Sequence, residues 1–167
     1  LAKDMGVKIE FVPTEWKTIV AGITTNKYDL STSVSLNAKR ALSAGYTDSY
    51  LNYYQVPLTL KTNLYKFKDW EDLNDENINF AVTLGTVQEE MAKEFFPKSK
   101  IISVEAPARD YQEILSNRAD ASMTSNIEAA ALVNQYSKLA IIPVEDQRRP
   151  TPLAWLIPQH DQVWINY

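Results

Sequence analysis

Hydrophobic and polar residues alternate along the chain with two periods, one typical of strands and the other typical of helices. Residues 7–12 (Val-Lys-Ile-Glu-Phe-Val) carry apolar side chains at every second position, which predicts a strand with one buried face. Residues 15–25 instead carry apolar side chains every three to four positions, from Trp16 to Ile23, which predicts a helix capped by Thr14. Residues 7–25 are therefore expected to form a strand followed by a helix.

Short strands and helices continue to alternate as far as residue 157. Further strands are predicted at residues 28–35, 50–60, 78–83, 101–104, 121–124, 139–142 and 153–157. Helices are predicted between them at residues 38–42, 70–73, 86–95, 109–116 and 126–136. Strands that alternate with helices indicate an α/β protein built on mostly parallel sheets.

The apolar stretch at residues 153–157 follows a polar, proline-bounded connector, Arg148–Pro152. This order predicts that the chain returns to its first unit after completing a second one. Lobe 1 is therefore expected to comprise residues 1–56 and 150–167, and lobe 2 residues 57–149. Arg148 and Arg149 are interpreted as solvated charges of the connector.

The first six residues have the pattern of the last turn of a helix, with Gly6 where a left-handed backbone is wanted. No initiator Met and no charged-then-apolar leader stands before them. We therefore expect a fragment in which the N-terminal part of lobe 1 is missing. A missing element would leave apolar surface uncovered, so such a fragment is expected to be marginally stable or to rely on a partner chain.

Composition removes several classes of function. The 167 residues include 17 Lys and Arg against 21 Asp and Glu, a net charge of −4, which argues against nucleic acid as a partner. There is no cysteine and one histidine, His160, so disulfides, thiolate metal sites and histidine-based triads or metal clusters within one chain are excluded. No metal and no cofactor are predicted. No apolar run approaches the roughly 18 residues that a membrane span needs.

Three segments carry a resemblance to a known family. Residues 34–40 (Val-Ser-Leu-Asn-Ala-Lys-Arg), 85–86 (Gly-Thr) and 123–129 (Met-Thr-Ser-Asn-Ile-Glu-Ala) resemble, in this order and spacing, the bacterial extracellular solute-binding proteins of family 3. The resemblance implies a type II periplasmic-binding-protein fold, in which two α/β lobes joined by crossing strands hold a ligand in their cleft. Residues 12–16 and 127–129 are most similar to periplasmic cyclohexadienyl dehydratases, which remove water and carbon dioxide from prephenate or arogenate.

The resemblance also implies how a carboxylate would be bound. Arg40 would form a two-pronged contact with the ligand's carboxylate, because a planar guanidinium matches two carboxylate oxygens. Ser33 and Ser35 belong to the loop before it. Thr86 would add its hydroxyl and backbone N–H from the other lobe, at a strand-to-helix junction suited to anions. The same Gly-Thr pair is equally typical of a simple turn with a capping threonine.

Other positions depart from the family's pattern or leave alternatives open. Ser125 stands where family members commonly carry an aspartate for the ligand's ammonium group, which favours a ligand without one or a role for Glu128 in its place. Gln55 stands where the dehydratases carry a lysine, so it can donate a hydrogen bond to the ligand but cannot balance a doubly anionic substrate. Trp16 and Tyr50 are candidate aromatic walls of the cleft, although such residues are as often part of a core.

Glu128 decides between two functions. By resemblance, Glu128 corresponds to the glutamate that acts as general acid in the dehydratases. Such an acid must be protonated near neutral pH, which requires an apolar pocket that raises its pKa. A glutamate in the first turn of a helix also stabilises that helix without any catalytic role. We predict a periplasmic protein that binds a small carboxylate-bearing solute, an amino acid or a related compound, for an ABC-type importer. The alternatives are a dehydratase, a carbon–oxygen lyase with Glu128 as its catalytic residue, and the ligand-sensing domain of a larger receptor.

Overall fold

A computed structural model describes residues 1–145 and 150–166. The α-helices are α1 (Ala2–Met5), α2 (Ile19–Thr24), α3 (Ala38–Ala41), α4 (Val87–Phe95), α5 (Asp110–Leu115), α6 (Asn126–Gln135) and α7 (Gln162–Asn166). The strands are β1 (Ser31–Ser35), β2 (Gly45–Tyr46), β3 (Leu51–Tyr53), β4 (Gln55–Leu60), β5 (Asn79–Thr83), β6 (Lys100–Val104), β7 (Ala121–Ser125), β8 (Leu139–Ile141) and β9 (Thr151–Ile157). Short 3₁₀ turns cover Trp16–Thr18, Lys61–Lys66 and Trp70–Leu73.

The strands form two separate sheets. In the first, β1, β2 and β3 each pair antiparallel with β9, so the end of the chain joins strands from its beginning. In the second, the order is β6-β5-β7-β4-β8. The lobe boundaries at 56/57 and 149/150 remain a prediction, and Arg148 and Arg149 lie outside the described residues.

The second sheet mixes strand directions. β5 runs parallel to β6 and β7, whereas β4 runs antiparallel to β7 and β8. Parallel pairing among the described strands is therefore confined to β5, β6 and β7. In this sheet β4 alone is reversed, since β8 is antiparallel to β4 and so runs in the direction of β5, β6 and β7. In the first sheet the expectation of parallel strands is wrong, because β9 is antiparallel to all three of its neighbours.

Hydrophobic clusters cover both faces of the second sheet. Phe80 and Val82 of β5 point into one cluster with Trp70 and Phe96, whereas Ala81 points into the other with Leu58. Successive side chains of a strand point to opposite faces, so this apolar run is buried on both sides. A smaller cluster, which includes Ile23 of α2 and Leu156 of β9, supports the first sheet. Because both faces of the second sheet are buried, its polar residues can meet a ligand only at the edge where the strands end.

Most predicted elements from residue 31 onward are confirmed within two residues of their predicted ends. The α1 turn is also confirmed, and Gly6 has the expected left-handed backbone with φ +68°. The predicted strand 28–35 begins only at Ser31, and the segment 50–60 is divided at Tyr54 into β3 and β4.

The prediction at residues 7–12 is wrong. The segment forms no strand, and its apolar side chains Val7, Ile9 and Phe11 are exposed, Phe11 to 88%. Alternation alone does not make a strand, because the backbone groups need a neighbouring strand, and none of the described strands lies beside this segment.

The helix predicted after it also starts differently. It begins as a 3₁₀ turn at Trp16, and the Thr14 hydroxyl lies 3.1 Å from the Tyr28 hydroxyl instead of capping the helix. Among the described residues, no helix has both the length and the apolar character that a bilayer crossing requires.

Candidate functional site

A cavity of about 430 Å³ lies between the two sheets. On the second sheet's side it faces the end at which β5 and β7 stop and α4 and α6 begin, which is where open α/β sheets bind ligands. Residues from both sheets line it, among them Trp16, Ser33, Ser35, Arg40, Tyr50, Thr83, Thr86, Gln88, Arg109, Asp110, Thr124, Ser125 and Glu128. The structure therefore brings together all the predicted site residues except Gln55.

Arg40 projects into this cavity from the first sheet's side. The Asn37 side chain caps the short helix α3 by accepting hydrogen bonds from the backbone N–H groups of Lys39 and Arg40. This cap fixes the backbone from which the Arg40 side chain extends. The guanidinium donates from Nη2 to the Gly85 carbonyl at 2.8 Å and from Nη1 to the Ser35 carbonyl at 3.4 Å. Its central carbon lies 5.9 Å from the centroid of the Trp16 ring, within cation–π range. Arg40 is thus held on the cavity wall with further N–H groups unused by these contacts.

The strand before Arg40 is distorted where it meets the cavity. Ser33 has a left-handed backbone, φ +57°, and the pairing of β1 with β9 shifts register between Ser31 and Val34. The Tyr50 hydroxyl donates to Ser33 Oγ at 3.2 Å, and the hydroxyls of Ser35 and Tyr53 lie 2.7 Å apart. This bulge turns small hydroxyl groups toward the space beside the guanidinium.

Thr86 lies on the opposite wall, and its hydroxyl already has partners. Thr86 Oγ1 donates to the Thr83 carbonyl at 2.7 Å and accepts from the Glu89 N–H at 3.3 Å, which makes it the cap of α4. The neighbouring Gly85 N–H donates to Glu89 Oε2 at 2.8 Å. Burial raises the pKa of Glu89, but bonds from Lys93, Gly85 and Ser103 outweigh burial and hold that pKa below its ordinary value. The capping interpretation of the Gly-Thr pair is therefore confirmed, whereas a contact between Thr86 and a ligand carboxylate stays a prediction, supported by the place of Thr86 in the cavity wall.

Glu128 belongs to a network at the start of α6. Ser125 Oγ caps this helix by accepting from the Glu128 N–H at 3.0 Å. The two carboxylate oxygens accept from Arg109 Nη2 at 2.6 Å and from Thr124 Oγ1 at 2.5 Å. The Glu128 side chain remains 37% exposed toward the cavity, as does that of Arg109. Glu128 therefore faces the cleft as half of an ion pair.

Asp110 is the buried carboxyl group of the site, with 5% of its surface exposed. Thr83 Oγ1 donates to Asp110 Oδ1 at 3.0 Å. Burial raises the pKa of Asp110, and the Glu128 charge acts in the same direction, whereas the Thr83 bond and the Arg109 charge oppose it. The folded state therefore favours the protonated acid more than the unfolded chain does.

We expect Asp110→Asn to stabilise the protein increasingly as pH rises. A raised folded-state pKa contributes stability at pH values below the unfolded pKa, and this contribution is lost as pH rises through the folded pKa. Asparagine keeps an acceptor for Thr83 and removes the charge. Chemical unfolding from pH 4 to pH 8 should show the stability difference between Asp110→Asn and the parent growing with pH. A constant difference across this range would contradict the assignment; Asp48→Asn, at an exposed loop position, is the control.

Gln55 does not contact the cavity. It is fully buried, and its Oε1 accepts from Nε2 of Gln88, which lines the cavity in its place. Its own Nε2 has no hydrogen-bond partner. The sequence analysis placed Gln55 at the ligand because it stands where the dehydratases carry a lysine, but here Gln55 is bonded to Gln88 and is not among the residues that line the cavity. A direct contact between Gln55 and a ligand stays a prediction.

Sequence reasoning assigned no function to Arg109, Asp110, Gln88 and Thr124, all of which line the cavity. Arg109 follows β6 as Thr86 follows β5 and Ser125 ends β7. Because the ends of adjacent parallel strands meet at one edge, the position of Arg109 after a predicted strand was a usable signal. His160, in contrast, is exposed, as the sequence analysis expected.

Contacts outside the cavity also join the two sheets. Asn37 Nδ2 donates to Glu90 Oε2 at 2.7 Å, and Lys17 forms an ion pair with Glu105. Gly85 packs against the backbone of Trp16 and Lys17 so closely that an added Cβ would lie 2.6 Å from Lys17 Cα. These contacts hold the two sides of the cleft together in this structure.

The fold and the cleft define a two-lobed binding protein of the type II periplasmic class. The family model for the bacterial extracellular solute-binding proteins, family 3, matches residues 1–138, and the chain belongs to this family. The predicted family and fold class are thereby confirmed.

Within this family the chain is similar to both a dehydratase and amino-acid-binding proteins. It is 25% identical, over 168 residues, to a cyclohexadienyl dehydratase from Pseudomonas aeruginosa, covering 100% of this chain and 62% of that protein. It is 36% identical, with a TM-score of 0.89, to an ancestral amino-acid-binding protein described as a precursor of cyclohexadienyl dehydratase, covering 99% of this chain and 70% of the other. A binding component of an ABC transporter from Wolinella succinogenes, complexed with lysine, is 26% identical with a TM-score of 0.88, covering 99% and 71%. The chain thus spans less than two thirds of the length of the dehydratase.

Proposed function

We propose that this protein reversibly binds a small carboxylate-bearing solute, an amino acid or a related compound, in the periplasm. The observation that carries the proposal is Arg40, which is held at the wall of the cavity and retains N–H groups for a ligand. A cavity of about 430 Å³ suits a compound of this size. The ABC-transporter relative supports a role in delivering the solute to an importer.

Binding would proceed by closure of the two lobes around the solute. Arg40, Ser33 and Ser35 would receive the carboxylate on the first lobe, and residues at the starts of α4 and α6 would then complete the contacts. The Arg40–Gly85 and Asn37–Glu90 hydrogen bonds would form only in the closed state, because each joins the two sheets. A ligand that binds the closed state better shifts the population toward it.

The dehydratase is the second candidate, because Glu128 lines the cavity and a dehydratase is among the relatives. A general acid must carry a proton, yet both oxygens of Glu128 accept bonds, one of them from a guanidinium. Gln55, where a lysine would be expected, is neutral and buried. These contacts favour binding over dehydration, although Arg109 adds a cation that the sequence analysis did not count.

Thermal unfolding in the presence of amino acids and small carboxylic acids tests this function. A solute that binds the folded protein raises its melting temperature. At a solute concentration of one hundred times its Kd, the free energy of unfolding increases by about 2.7 kcal/mol. We expect stabilisation by one or more of these acids and no conversion of prephenate or arogenate to product. Turnover at about ten per second that Glu128→Gln abolishes would establish the dehydratase instead.

A further inference from the structure

The charged groups that line the cleft are unequally paired. Four charged side chains of described residues reach the cavity: Arg40 on the first sheet's side, and Arg109, Asp110 and Glu128 on the second. Both carboxyl groups are engaged within the protein, Glu128 by Arg109 and Thr124, and Asp110 by Thr83. A ligand ammonium group would find no carboxyl group among them that is free of a hydrogen bond from the protein.

Donors, in contrast, remain available. A guanidinium has five N–H groups, and the side chain of Arg109 makes one hydrogen bond to a described residue, from Nη2 to Glu128. Its Nε is buried and has no hydrogen-bond partner. A buried donor without an acceptor is costly, by about 1–3 kcal/mol, and rare in native proteins. Nε itself is enclosed by protein, but the Arg109 side chain is 37% exposed, and its terminal N–H groups that are not bonded to Glu128 can meet whatever enters the cleft.

The space beside Arg109 extends past the main cavity. A second cavity of about 140 Å³ shares Trp16, Thr83 and Arg109 with the first. Arg109 thus contributes to the walls of both cavities, and the Lys17–Glu105 ion pair also lines the smaller one. A ligand whose first carboxylate contacts Arg40 has room to place a second group at Arg109.

We propose that Arg109 is a specificity-determining residue that receives a second anionic group, so that the preferred ligand is a dicarboxylate without a free ammonium group. This inference rests on the proposed function, since it assumes a carboxylate at Arg40. Two guanidinium groups on opposite sides of the cleft match two carboxylates, and the engaged state of Glu128 and Asp110 disfavours a cation.

Three series of compounds with matched chain length test the assignment. Dicarboxylates of four to seven carbons, such as glutarate, are compared by calorimetry with monocarboxylates such as valerate and ω-amino acids such as 5-aminovalerate. The best dicarboxylate should bind at least about tenfold more tightly than both matched compounds, because a desolvated charge-assisted contact is worth that much. L-Lysine is included as a cationic amino acid.

Two variants should change this preference in opposite directions. Arg109→Gln should remove most of the dicarboxylate preference, whereas Glu128→Gln should increase it, because Arg109 loses its internal partner. If the Arg109–Glu128 ion pair has only a structural role, Arg109→Gln and Glu128→Gln should both weaken dicarboxylate binding. Arg118→Gln, which breaks the exposed pair with Glu113, is the matched control and should leave the preference unchanged.

The outcomes separate this inference from the proposed function. If 5-aminovalerate or L-lysine binds more tightly than every dicarboxylate, or if Glu128→Gln weakens dicarboxylate binding, the inference is wrong and the binding function stands. If neither these compounds nor the wider set of amino acids and carboxylic acids binds, the inference and the proposed binding function are both wrong.

Discussion

Replacing Arg40 with alanine is expected to weaken binding of the protein's best carboxylate ligand by about 150-fold. A carboxylate enclosed in the cleft would lose its charge-assisted partner, at a cost of about 3 kcal/mol. The variant also loses the Arg40–Gly85 bond between the two sheets, which acts in the same direction. Calorimetric titration of parent and variant with the same ligand measures the change.

Two further variants separate charge from geometry. Arg40→Lys keeps the cation but not the planar pair of donors, so its affinity should lie between those of the parent and Arg40→Ala. Lys39→Ala removes the adjacent exposed cation of the same helix and should leave affinity within twofold. An Arg40→Ala protein that binds within twofold of the parent would show that the carboxylate is held elsewhere.

Gly85→Ala is expected to weaken ligand binding by at least about tenfold, because it obstructs closure. The added Cβ would lie 2.6 Å from the backbone N and Cα of Lys17, across the contact between the lobes. Backbone atoms cannot move aside as a flexible side chain can, so the closed arrangement would have to open. The left-handed backbone at φ +78° adds a stability cost of about 1 kcal/mol.

Gly6→Ala isolates the effect of closure from that of backbone strain. Gly6 has a similar φ of +68°, but an added Cβ would contact nothing within 4 Å. It should therefore show a similar loss of stability with unchanged affinity. Chemical unfolding and calorimetry on both variants measure the two effects, and equal affinities for Gly85→Ala and Gly6→Ala would refute the proposed obstruction.

The sequence was sufficient where the chain's own pattern determines the structure. The alternating apolar runs and helical periods predicted β5, α4, β7 and α6 because these elements find their partners within the chain. Residues 7–12 have an equally clear alternation but no partner among the described strands, and the same pattern there forms no strand. Pairing is a property of two segments, which periodicity in one segment does not establish.

The site was predicted in part for a similar reason. Arg40, Thr86, Ser125 and Glu128 follow recognisable motifs, and all of them line the cavity. The role of Arg109 depends on the side-by-side arrangement of β5, β6 and β7, and the burial of Gln55 depends on Gln88 of a different element. Neither follows from residue type and spacing alone.

Equilibrium dialysis of the protein against an isotopically labelled sample of the acid that gives the largest thermal stabilisation, followed by mass spectrometry of the recovered compound, tests the central claim most directly. The account predicts saturable binding of one molecule per chain, loss of that binding in Arg40→Ala, and recovery of the compound unchanged. Binding of that acid that is equally strong in Arg40→Ala, or an absence of saturable binding, would contradict it.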